Sequence, residues 1–65
     1  MSLRVKEHAE ARGYSIRRLA FETNHAQTTI ARYWHNYIKR PDLEVLKDIA
    51  RILNMPNWRD LISNE

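Results

Sequence analysis

The 65-residue chain has no cysteine, one glycine and no apolar run approaching the ~20 residues that span a bilayer. Without cysteine it has neither a disulfide staple nor a thiol nucleophile, and it suits a reducing compartment. Its lone glycine, Gly13, leaves no material for a glycine-rich phosphate loop. The histidines, His8, His25 and His35, fall on three separate elements and lack metal-ligand spacing, so neither a metal nor a cofactor is expected. Ser2, Ser15 and Ser63 have no evident base partner, and an enzyme is not expected. The first residues lack the apolar stretch of a secretory signal, which points to the cytoplasm. Strand-like alternation, repeats and low-complexity tracts are absent too, which leaves an all-α reading.

What is present fits one domain, residues 1–65, near the lower size limit for a chain that folds alone. A core this small contributes ~3–5 kcal/mol. It leaves no room for a ligand-sensing domain, and no small-molecule ligand is expected. The formal charge of +3 is unevenly spread. Residues 1–40 carry eight Lys/Arg against three Asp/Glu, a net of +5, and residues 41–65 carry three against five, a net of −2. A basic half is the electrostatic footprint of phosphate binding, although a solvated basic surface looks the same in composition.

Residues 16–35 organise the chain. They read as two short helices joined by a tight turn, with Leu19 and Ala20 inward on the first and Ile30, Tyr33 and Trp34 inward on the second. Asn24 between them tolerates the left-handed backbone that ends a helix. Small Ala20 sits where the second helix crosses close above the first. This is a helix-turn-helix pattern, whose second helix, about Gln27 to His35, would be the one that reads DNA. Its outward face, Gln27, Thr28, Ala31, Arg32 and His35, is polar and free of acids. Glutamine bonds adenine bidentately, arginine bonds guanine, and threonine or alanine methyls touch thymine. An uncommitted polar face would look similar. Arg17 and Arg18 lie in the first turn of the preceding helix, where the macrodipole disfavours cations, so a phosphate outside the helix is their simplest purpose.

The flanks read as scaffold. A first helix is expected over Leu3 to Ala11, with Val5 and Ala9 inward, His8 at the edge of the stripe and Gly13 as the stop. A lone histidine there is a boundary or core residue before it is a ligand. Ser15 should cap the second helix and Asp42 the fourth. Asn36 to Pro41 forms the longest connection, with Lys39 and Arg40 where a duplex backbone would pass; Tyr37 and Ile38 suit either a packed or an exposed position. The fourth helix, Leu43 to Leu53, turns Leu43, Leu46, Ile49, Ala50 and Leu53 inward. Asn54 ends it, and Asn57 caps a last short helix whose Trp58, Leu61 and Ile62 close the core.

The order of these elements resembles the Cro and lambda-repressor type of helix-turn-helix domain, also called the Xre type, over residues 4 to 62. The likeness is carried by Gly13-Tyr14-Ser15, Leu19-Ala20, Thr29-Ile30, Pro41-Asp42-Leu43-Glu44 and Ile49-Ala50-Arg51-Ile52-Leu53. Their joint spacing is specific where each alone is weak. The resemblance implies five packed helices, the third in the major groove of double-stranded DNA, in a transcriptional regulator of bacterial or phage type that often binds palindromes as a homodimer. By position it implies base reading by Gln27, Thr28 and Arg32. Phosphate contacts would come from Arg17, Asn36, Lys39, Arg40 and the N-termini of the second and third helices.

Four departures from that pattern matter, the last of them a pair of positions. Ile16 replaces a glutamine that contacts DNA, Asn24 replaces the turn glycine, and Ala26 replaces a Ser or Thr cap, so Asn24 must cap the reading helix or its end frays. Ala9 and Trp34 stand where many relatives hold an Arg–Glu pair, which suggests that Trp34 fills that space over Ala9. The alternative function is a protein-interaction module on the same fold: an antitoxin, an anti-repressor or a small phage adaptor, using Trp58, Ile62 and Tyr37 as its patch. Those residues could equally be core or a self-association surface. A dimer would use the last helix and the loop leading into the fourth; binding as a monomer, or association only on DNA, are the other choices.

Overall fold

Each of the α-helices among the described residues ends the same way, on one residue with left-handed backbone. A computed structural model describes residues 2–63, so Met1, Asn64 and Glu65 of the expected domain 1–65 lie outside the described residues. It contains α1 (Val5–Ala11), α2 (Ile16–Thr23), α3 (Gln27–Trp34) and α4 (Leu43–Ile52). The residues that end them are Gly13, Asn24, Asn36 and Asn54, with φ of 77°, 62°, 62° and 60°. In each case the next amide reaches back to close a Schellman turn: Tyr14 N–H donates to Ala9 O, His25 to Ala20 O, Tyr37 to Arg32 O and Met55 to Ala50 O. Three asparagines thus do work usually given to glycine, because their short polar side chains tolerate this conformation.

Three starts follow side-chain chemistry as expected. Ser15 Oγ accepts from the Arg18 amide at 3.2 Å, and Asp42 Oδ1 from the Glu44 amide at 2.9 Å. Asn57 Oδ1 accepts from the Arg59 amide at 3.0 Å.

The expected fifth helix is instead a 3-10 turn, Trp58–Leu61, so the helical set among the described residues is four α-helices and one tight turn. Only four residues separate the Asn57 cap from Ile62, whose backbone is already extended at φ −113°, ψ 132°. That is too short for an α-helix to nucleate and propagate. The fold is helical as expected, with one short addition that the sequence did not announce. Ser2–Leu3 (β1) pairs antiparallel with Ile62–Ser63 (β2), bringing both ends of the described chain together. Leu3 therefore belongs to a strand and not to α1. Leu43, expected inward, is 43% exposed, and Val45 takes the buried position in the same helix.

Among the described residues, fourteen buried apolar side chains from all four helices, Leu53, Met55 and the 3-10 turn form one core that includes Leu19, Ile30, Leu46, Ile49 and Leu61. Ala9 and Trp34 are both in it, where α1 packs on α3. Arg12 ties the α1 end to the α4 end: its Nε donates to Leu53 O at 2.8 Å and its Nη1 to His8 O at 3.0 Å. Arg4 grips Glu7 at 2.9 Å and holds that carboxyl below its ordinary pKa, mainly by hydrogen bonding and then by charge. Among the described residues, no helix is long and apolar enough to cross a membrane, and no His, Cys, Asp or Glu cluster could hold a metal.

Candidate nucleic-acid interface

α2 and α3 make the largest helix–helix contact of the fold. Buried Thr23 closes the α2 end by donating its hydroxyl to Leu19 O at 2.7 Å. The chain then turns through Asn24 and enters α3 from extended Ala26, at φ −65°, ψ 147°. No side chain caps α3. Asn24 serves the turn through its backbone and does not replace the missing cap. The first amides of α3 are left to face outward, where they carry the positive end of the helix dipole.

Two contacts set the orientation of this unit against the scaffold. His25 Nε2 lies 2.9 Å from Asp48 Oδ2 on α4. At the other end of α3, the buried Tyr33 hydroxyl accepts from the Asp42 amide at 2.7 Å, which fixes where the 36–41 loop returns to α4.

Ile30, Tyr33 and Trp34 point into the core, and Gln27, Thr28 and Arg32 are exposed on the opposite side. Arg17, Asn36, Lys39 and Arg40 are exposed too. Between Thr23 and Pro41 there is no Asp or Glu.

The cations sort into two groups. Arg4, Arg18 and Arg51 are paired with Glu7, Glu22 and Asp48, Arg12 is held by carbonyls, and Arg59 lies over the Trp58 ring. Among the described residues Arg17, Arg32, Lys39 and Arg40 have no such partner, and Lys6 and Lys47 on α1 and α4 share that state. Four of the six unpartnered cations therefore flank or lie on α3. Arg18, expected to serve a phosphate beside Arg17, is used internally: it bonds Glu22 at 2.8 Å and stacks 4.4 Å from the Tyr14 ring centroid.

Asn36 has a structural task that its sequence position does not announce. Besides ending α3, its Oδ1 accepts from the Leu3 amide at 2.9 Å, which leaves only its Nδ2 donor group for a phosphate. Phe21 was missed as a surface feature, and Tyr37, which suited either a packed or an exposed position, is exposed; the two are 85% and 77% exposed. For Phe21 the signal was its spacing, four residues after Arg17 and off the Leu19–Ala20 stripe. Ile38 and Trp58 pack half-buried on the core.

Comparison with curated proteins and with solved structures gives no match. The pattern of one family does match, over residues 4–63, which takes in every helix just described. With the turn at Asn24, the buried face of α3 and its exposed polar side in place, the chain belongs to the Cro/C1-type HTH DNA-binding domains.

Proposed function

We propose that this DNA-binding domain acts as a sequence-specific transcriptional regulator that lays α3 in the major groove of double-stranded DNA. Gln27, Thr28 and Arg32 read base edges, and Arg17, Lys39, Arg40 and the Nδ2 of Asn36 hold phosphates. One observation carries the reading: the polar side of α3 is exposed, acid-free and flanked by cations with no partner among the described residues. Unpaired cations at that spacing supply affinity through counterion release, and the side chains between them supply discrimination. The uncapped start of α3 adds outward N–H groups suited to an anion.

A single such domain covers few base pairs, so two copies on a palindrome are part of the proposal. Exposed Leu43, the first residue of α4, gives that pairing an apolar foothold.

Selection of binding sites from random duplex at two salt concentrations tests the reading. A preferred, palindromic sequence whose retention weakens as salt rises is the expected result. If no duplex is retained even at low ionic strength, the reading fails.

A further inference from the structure

We infer that Phe21 and Tyr37 are contacts to the duplex, each ring packing on the sugar–phosphate wall at one end of α3. The inference rests on the proposed reading of α3 and adds two apolar contacts to it. Both rings are largely in water, 85% and 77% exposed, in a domain with little apolar surface to spare.

Their surroundings say what would cover them. Phe21 lines one shallow hollow with Arg17, Ala20, His25 and Gln27, and no carboxylate lines it. Its neighbour Glu22 is held by Arg18. At the other end, the Tyr37 amide donates to Arg32 O at 2.8 Å, so its backbone is fastened to the last turn of α3. Its ring leans on exposed His35, centroids 5.8 Å apart, and Lys39 and Arg40 follow. The two rings thus stand at opposite ends of a polar strip formed by Gln27, Thr28 and Arg32.

A ring cannot neutralise a phosphate, but it can cover the C–H face of a deoxyribose while the cation beside it takes the charge. An apolar protein partner would need the rings joined in one patch. Two rings divided by hydrogen-bonding side chains match a groove, where base edges lie between two sugar walls.

Phe21→Ala and Tyr37→Ala test the proposal by titration with a mixed-sequence duplex of about 20 base pairs, two helical turns. Neither ring is in the core, so both variants should melt as the wild type does. Each should bind about tenfold more weakly. The slope of log affinity against log salt should stay unchanged, because no counterion is involved, whereas Arg17→Ala should flatten it by about one. Tyr37→Phe should bind as the wild type does. Unchanged affinity in either alanine variant overturns the inference, and so does a loss in Tyr37→Phe as large as in Tyr37→Ala. An equal or larger loss on the matching single strand overturns it too, since the rings would then be stacking on bases. If the wild type itself binds no duplex at low salt, the underlying reading of α3 falls as well.

Discussion

His25 Nε2 and Asp48 Oδ2 meet at 2.9 Å, joining the turn between α2 and α3 to the middle of α4. Both side chains are mostly covered, at 26% and 30% exposure, so water screens the contact less than it would a surface pair. His25→Ala and Asp48→Ala should each lower stability by about 1 kcal/mol, or roughly 4–8 °C in Tm for a domain of this size. The double variant should lose less than the sum. Additive losses in thermal melts would mean that the pair contributes nothing as a pair.

His8 is the opposite case. Its Nε2 is buried and has no hydrogen-bond partner. A polar atom left in that state costs stability, and an apolar side chain of similar size removes the cost. His8→Leu should therefore raise stability by about 1 kcal/mol, read as a higher urea midpoint with the same m value. A midpoint that stays or falls would show that the imidazole is worth more than its burial costs.

Trp34 is 8% exposed and Ala9 fully buried, on two helices that pack together. A large indole and a small methyl buried in one core, on helices that touch, fit a position filled by packing. Trp34→Ala should cost roughly 3–5 kcal/mol, most of what so small a core supplies. Urea titration should find the variant largely unfolded without denaturant; a melt like the wild type's would rule the packing role out.

How much of this was legible beforehand depends on how local the cause is. Ser15, Asp42 and Asn57 act on amides two or three residues away, and the turn at Asn24 is equally local, so each could be read from spacing. Inward faces of α2 and α3 followed from periodicity for the same reason. Distant partners were not legible. Asn36 reaches Leu3, Arg12 reaches Leu53, His25 reaches Asp48, and no periodicity links positions so far apart. The β1–β2 pairing is two residues deep on each side, too short for alternation to register. Of the candidate site, the exposed side of α3 was readable, but which arginines were already spoken for was not: Arg17 and Arg18 look alike until Glu22 and Tyr14 are seen to hold one of them.

Asn54 offers a test of the asparagine stops that leaves the proposed interface untouched. It is exposed with φ 60° at the end of α4. A β-carbon without a polar group pays the left-handed penalty in full, so Asn54→Ala should lose about 1 kcal/mol. Glycine relieves that strain and adds freedom to the unfolded chain, so Asn54→Gly should be about neutral. Equal melting of both variants would mean that the backbone relaxes out of the left-handed form.

Arg32 and Lys39 separate discrimination from attraction on the proposed reading. Both are exposed with no partner among the described residues, Arg32 on α3 and Lys39 on the loop beyond, and the reading assigns a base edge to the first and phosphate to the second. A bidentate contact to guanine is worth ~1–3 kcal/mol at one base pair and nothing elsewhere. Arg32→Ala should therefore weaken the selected site by about ten- to a hundredfold and random duplex far less. Lys39→Ala should weaken every duplex alike and flatten the salt dependence by about one unit. The two variants are informative together: both lose a positive charge, so a difference between them reports what each charge faces. If Arg32→Ala weakens random duplex as much as the selected site, the arginine meets phosphate, and base reading would be left to Gln27 and Thr28.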